Sequence, residues 1–181
     1  MRYYLSSSKI VQRYFHRTLT NLQRTDVIPN VFDRQTKLKQ RERTCLDPEY
    51  NIYSYVHERV AQSLVDRIFD IKRSFDSALD LGCGRGLTAS ELTKDVVKRL
   101  TMIDSSSRML NQIRSPVEEN GHGDMEIVRQ QMDEEELIGK ASSYDLAYSC
   151  LALHWVNDLP GVFRKVLSLL KNDAPFIGKL K

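Results

Sequence analysis

Cysteine is scarce in this chain of 181 residues, and the three present (Cys45, Cys83 and Cys150) are far apart, with no C-x-x-C pair. An odd, scattered set argues against a disulfide framework or a thiolate zinc site and suits a reducing compartment. Long hydrophobic runs are missing too: nothing approaches the roughly 20 apolar residues that cross a bilayer as a helix. Acidic residues are absent from the first 25 positions. Glycine is sparse, eight in all, yet three of the eight fall within residues 82–86. The remainder is ordinary for a globular domain, 41% hydrophobic and 28% charged, in a length that suits one domain with extra segments.

The net charge of +3 conceals an uneven distribution. Arg2, Lys9, Arg13, Arg17 and Arg24 give residues 1–25 a charge of +5, and Arg34, Lys37, Lys39, Arg41 and Arg43 form a second basic cluster. From Thr44 onward the chain is net −4. A nucleic-acid binder carries positive charge over its folded body, so the balance argues against that class of partner.

An acid-free, Arg-containing, Ser- and Thr-rich beginning has the character of a mitochondrial transit peptide. On a helical wheel Arg13, Arg17 and Arg24 fall within about 40° of one another. Val11, Phe15 and Leu22 lie opposite, which makes a basic amphipathic helix of residues that can lie on an anionic membrane. Residues 1–28 are therefore assigned to a targeting segment outside the fold, residues 29–49 to a charged connecting arm, and residues 50–181 to the folded domain. Within the arm, Val31–Arg43 reads as a surface helix whose basic residues form a solvated face. Pro48 interrupts it.

From Asn51 to Ile71 the apolar period becomes helical through Val56, Val60, Leu64 and Ile68, with Val65 and Ile71 on the same side. Strands and helices then alternate. Strands are expected at 77–81, 99–104, 125–129, 144–150 and 174–178. Helices are expected at 87–94, at 105–115 (Ser105 as N-cap, Pro116 as stop) and at 159–170 (Asp158 as cap), the last with Val162, Phe163, Val166, Leu167 and Leu170 inward. This is the pattern of an α/β, doubly wound, Rossmann-like parallel sheet, which binds ligands beyond the C-terminal strand ends at its switch point.

The switch point falls on Ser77-Ala-Leu-Asp-Leu-Gly-Cys-Gly-Arg-Gly86. Gly82, Gly84 and Gly86 let the backbone turn tightly and lie against a ligand. Their G-x-G-x-G spacing differs from the G-x-G-x-x-G dinucleotide fingerprint. Asp80 would repel a pyrophosphate but suits an amino group and a sulfonium, so the ligand indicated is S-adenosylmethionine rather than NAD. Asp104, at the end of the second strand, is placed to accept both ribose hydroxyls. After the third strand, Met132 is positioned to flank an adenine while Asp133 accepts from its exocyclic amine, and Glu135 and Glu136 read as a solvated helix start. Cys83 within the turn reads as a small apolar packing group. His154 and Trp155, after the fourth strand, stand at the rim where a transferable group projects; His154 there is either a base or a structural histidine. His122, Asp124 and His154 have the composition of a facial iron triad, but a glycine-rich loop is a poor place for one, and no metal site is assigned.

These residues resemble class I S-adenosylmethionine-dependent methyltransferases: Leu79-Asp-Leu-Gly-Cys-Gly-Arg-Gly86 is similar to the first motif of that superfamily and Met102-Ile-Asp104 to its second. More narrowly, Val31-Phe-Asp-Arg34, Arg67-Ile-Phe-Asp-Ile71, Leu151-Ala-Leu-His-Trp-Val-Asn-Asp-Leu-Pro160 and Phe176-Ile-Gly178 resemble the mitochondrial arginine-hydroxylase branch, the assembly factors of NADH:ubiquinone oxidoreductase (complex I). Malonyl-acyl-carrier-protein methyltransferases are similar in the same region. The resemblance to the arginine-hydroxylase branch implies a matrix protein peripheral to the inner membrane, acting on a complex I core subunit or assembly intermediate. Its chemistry would be methylation or hydroxylation of an arginine, or the fold would serve as a non-catalytic assembly chaperone. The family continues past the fifth strand, whereas this chain stops at Lys181; the resemblance therefore implies a fold truncated after about strand five, with that strand as an exposed edge and weak stability without a partner.

Overall fold

The computed structural model describes Tyr4, Leu5 and residues 29–113 and 125–180. The basic amphipathic segment between Val11 and Arg24, Pro116, and the His122–Asp124 loop lie outside those residues. Five parallel strands form the sheet: β2 (Phe75–Leu81), β3 (Val97–Asp104), β4 (Glu126–Gln131), β5 (Leu146–Cys150) and β6 (Phe176–Lys179). A two-residue strand, β1 (Tyr4–Leu5), is antiparallel to β6, and the order is β1-β6-β5-β2-β3-β4. The chain moves outward from β2 to β4, then restarts at β5 on the other side of β2. That reversal puts the switch point at the end of β2, where the glycine turn begins.

The strands read as near-continuous apolar runs because both faces are covered. On one face Phe75, Ala78, Leu100, Met102, Leu146 and Tyr148 pack with Leu64, Val65 and Ile68 of a helix. On the other, Leu79, Leu81, Ile103, Ala147 and Phe176 pack with Val162, Val166 and Leu169. Neighbouring residues of β2 thus serve opposite cores, as a pleat requires, and the doubly wound α/β expectation holds.

The helices depart from expectation in instructive ways. Residues 51–71 form two helices, α2 (Tyr50–Tyr53) and α3 (Tyr55–Phe69), not one. The buried stripe of α3 is Ala61, Leu64, Val65 and Ile68, while Val56 is 49% exposed: the sheet is reached only after the first turn of α3. The helix after the glycine turn, α4, is only Leu87–Ser90, because Leu92 is buried and Thr93 takes Val96 and Val97 into a turn leading to β3. The next helix, α5, is Ser107–Asn111 and is capped by Ser106 rather than Ser105, with the Ser106 hydroxyl accepting from Met109 N–H. Asp158 caps α6 (Leu159–Leu169) as expected, accepting from Gly161 N–H at 2.8 Å, but Leu167 faces solvent and Leu169 turns inward. The edge of β6 is not bare: Tyr4 and Leu5 pair with Ile177 and Phe176, although both fall within the segment assigned outside the fold. An open edge presents unpaired N–H and C=O groups that any short extended segment can meet.

Truncating Ile68, which is fully buried, to alanine is expected to lower the unfolding free energy by about 2–5 kcal/mol. Val56→Ala should change it by about 0.5 kcal/mol or less. Urea unfolding of both variants checks the assignment, and equal losses would contradict it.

Candidate functional site

The site is assembled where β2 and β3 end side by side, with Asp80 opposite Met102 in the register and Asp104 closing β3. The glycine turn between them is left-handed at Gly82, Gly84 and Gly86, with φ of 69°, 57° and 78°. Gly82 answers to packing: a Cβ there would stand 2.3 Å from Ala152 Cβ and 2.8 Å from Glu134 Oε1. Gly84 faces open space, so its backbone is the part of the turn free to meet a ligand. Its N–H donates to Asp104 Oδ2 at 2.8 Å, tying the turn to the end of β3.

The two carboxylates have opposite surroundings. Asp104 is fully buried; its Oδ1 accepts from Ser106 N–H at 2.9 Å, and its Oδ2 is in an ion pair with Arg41 besides its bond from Gly84. Asp80, 1% exposed, has the hydroxyl of buried Tyr148 beside it, but no backbone N–H and no cation reaches either of its oxygens. Burial pushes its carboxyl well above the ordinary carboxylate range; the Tyr148 hydroxyl pulls it partly back, and the charge of Asp104 pushes it further up. Such a group is uncomfortable alone and suits a cation. The cysteines are quiet: burial raises the thiol of Cys83 well above its usual value and that of Cys150 to about 11. Cys83 packs against the core as expected.

Beyond β4, Met132 is half-buried and donates its N–H to Asp104 O at 3.0 Å, which brings this segment to the same rim. Asp133 caps a single 3-10 turn, Glu134–Glu136, accepting from Glu135 N–H at 2.8 Å. Glu134 is 1% exposed, and Glu135 accepts from Asn157 N–H at 2.7 Å, so only Glu136 is the solvated acid expected of this stretch. His154 lies in a short 3-10 turn, Leu153–Trp155, tilted against the Trp155 ring with centroids 4.9 Å apart.

The charged arm is the main correction. Its helix, α1 (Arg34–Thr44), does form, capped by Asp33. Arg34, Lys37 and Arg41 are not part of a solvated face, because α1 lies across the C-terminal rim of the sheet; Lys39 and Arg43 are exposed as expected. Arg34 grips Asp133 with Nε at 3.1 Å and Nη2 at 2.8 Å, pairs with buried Glu134, and donates through Nη1 to Trp155 O at 3.0 Å. Two turns on, Arg41 reaches Asp104. Lys37 sits 3.2 Å above the Trp155 ring centroid, and Phe32 meets the same ring edge-on at 5.5 Å. Phe32 and Asn157 exchange two hydrogen bonds, of 2.8 and 3.0 Å. At the other end, Glu42 pairs with Arg108 at 2.8 Å and accepts from the Ser106 hydroxyl, while Cys45 O accepts from Gln112. Behind the turn, a cavity of about 630 Å³ opens between Tyr50, Ser54, Glu58, Arg85, Gly86 and Gln112; of the sequence-derived site residues, Gly86 alone borders it.

A parallel sheet whose switch point carries a glycine turn and two strand-end carboxylates is the scaffold of a nucleoside-cofactor enzyme. Residues 78–173 match the family described as methyltransferase domain, and the chain belongs to that family. Over 151 residues it is 38% identical to the mitochondrial arginine-hydroxylase NDUFAF5 of Danio rerio, a match covering 83% of this chain and 45% of that one. It is 34% identical over 127 residues to a malonyl-[acyl-carrier protein] O-methyltransferase of Acetivibrio thermocellus, covering 69% and 42%. Among solved structures, an S-adenosylmethionine dependent methyltransferase from Mesorhizobium loti is 30% identical with a TM-score of 0.52, covering 60% of this chain and 47% of that one. The chain thus spans less than half the length of the curated relatives it matches.

The raised Asp80 carboxyl gives a pH signature. Below about pH 4 both folded and unfolded chains hold this proton. As pH rises, the unfolded chain releases it first and the folded state loses stability. Asp80→Asn should therefore melt higher than wild type at pH 8 and show little advantage at pH 4. Melting curves at the two pH values check this; a variant less stable at pH 8 would refute it.

Proposed function

We propose that this chain binds S-adenosylmethionine at the rim of β2, β3 and β4. The observation carrying the reading is the contrast between the two strand-end carboxylates flanking a turn whose Gly84 faces open space. Asp80, buried with no cation or backbone N–H beside it, receives the cationic amino-acid end of the cofactor. Asp104 receives the ribose hydroxyls, Gly82, Gly84 and Gly86 shape the backbone between, and Met132 flanks the adenine. Asp133 keeps one acceptor position on Oδ2 after its bonds from Arg34 and Glu135, enough for the exocyclic amine. When bound, the cofactor supplies an electrophilic methyl group. His154, at the rim after β5, is the side chain proposed to face the acceptor.

We further propose that the protein acts in assembling mitochondrial respiratory complex I, modifying an arginine of a core subunit by methylation or hydroxylation. The likeness to the mitochondrial arginine-hydroxylase supports this, and an acid-free beginning supports import through a targeting segment in residues 1–28. In that reading the protein works in the matrix, peripheral to the inner membrane. The likeness to a malonyl-[acyl-carrier protein] O-methyltransferase favours a second reading, methyl transfer to a carboxylate.

Calorimetry with S-adenosylmethionine, S-adenosylhomocysteine and NAD tests the first step. The wild-type chain should bind the two sulfur nucleosides, and Asp80→Ala and Asp104→Ala should each weaken them at least tenfold, about 1.4 kcal/mol or more. Preference for NAD, or unchanged affinity in both variants, would defeat the reading. A protein acting only as a scaffold would still restore complex I assembly with both substitutions, whereas an enzyme would not.

A further inference from the structure

The Arg41–Asp104 pair has a consequence for what the site admits. An ionised carboxylate offers about four acceptor positions, two on each oxygen. In Asp104, Oδ2 is filled by Gly84 N–H and Arg41, and Oδ1 has already accepted Ser106 N–H. One position is left, and a ribose diol needs two. Arg41 itself is imperfectly held, because its Nε is buried without a hydrogen-bond partner. The guanidinium is well enough placed to neutralise Asp104 and poorly enough satisfied to be released. The helix bearing it is fastened to the rim at both ends, through Arg34 to Asp133 and Glu134 and through Glu42 to Ser106 and Arg108.

We propose that Arg41 is a specificity-determining residue that competes with ligand ribose for Asp104, so that only nucleosides carrying both the 2′- and 3′-hydroxyls displace it and bind tightly. The inference rests on the cofactor reading above and adds a residue that reading does not use. A ligand with the full diol replaces the guanidinium with two hydrogen bonds to the same carboxylate. A ligand lacking the diol leaves Arg41 in place. Displacement also disturbs the rest of α1, whose Lys37 covers the ring of Trp155, the only tryptophan in the chain. Trp155 is therefore a built-in reporter.

The test compares S-adenosylhomocysteine with its 2′,3′-dideoxy analogue on wild type, Arg41→Gln, Arg41→Lys and Arg43→Gln. Removing a competitor raises the fraction of competent sites, so Arg41→Gln should bind S-adenosylhomocysteine about five-fold or more tighter than wild type. It should bind the dideoxy analogue no tighter. Arg41→Lys should stay close to wild type. Arg43, exposed on the same helix, is the control, and Arg43→Gln should match wild type. In wild type, saturating S-adenosylhomocysteine should change Trp155 emission while the dideoxy analogue should not; this measurement stands even if Arg41→Gln folds poorly. Equal or weaker binding by Arg41→Gln, or a Trp155 response indifferent to the hydroxyls, would overturn the proposal while the cofactor reading survives. If neither wild type nor Arg41→Gln binds S-adenosylhomocysteine, the cofactor reading fails and takes the proposal with it.

Discussion

Two carboxylates buried at the ends of adjacent parallel strands set the terms for everything around them. A charge in a poorly polarisable interior must be paired, hydrogen-bonded or neutralised by a proton. Asp104 is answered by two backbone N–H groups and a guanidinium. Asp80 has only the Tyr148 hydroxyl to favour its charge, and burial pushes it toward the protonated form. The glycine turn belongs to the same constraint, since its left-handed backbone carries the Gly84 N–H that donates to Asp104. The site is thus asymmetric, with one carboxylate met by backbone and guanidinium donors and the other by neither.

The helix over the rim follows from the same electrostatics. Asp104, Asp133, Glu134 and Glu135 gather at the ends of β3 and β4, and an uncompensated group of this kind would oppose folding. Arg34 and Arg41, seven residues apart and hence on one side of α1, meet this charge at two points. The acidic rim and the two arginines of α1 are therefore two halves of one arrangement. Lys37 on Trp155 and the paired Phe32–Asn157 bonds fix where the helix crosses.

Much of this was legible in the residues alone, and the reason is local. The turn, Asp80 and Asp104 announce themselves because glycine spacing and strand ends are properties of short segments. The sheet, the Asp158 cap and the two-faced core follow from apolar runs and capping residues. What escaped was non-local. Arg41 meets a partner 63 residues away, and Arg34 partners 99 and 100 away. A helix whose buried surface is guanidinium rather than hydrocarbon carries no apolar stripe to betray it. The available signal was the seven-residue spacing of two arginines set against a surplus of acids at the rim. Boundaries failed where tertiary contacts outweighed periodicity, as at Val56, exposed because α3 reaches the sheet one turn later, and at Leu92, buried outside any helix.

The most direct test of the account is the titration of the Asp80 carboxyl by carbon-13 NMR, in the free chain and with saturating S-adenosylhomocysteine, whose amino-acid end also bears an ammonium group. The account predicts a midpoint well above the ordinary carboxylate range in the free protein, falling when the ammonium group arrives beside it. A midpoint already ordinary in the free chain, or one that saturating ligand leaves unmoved, would contradict it.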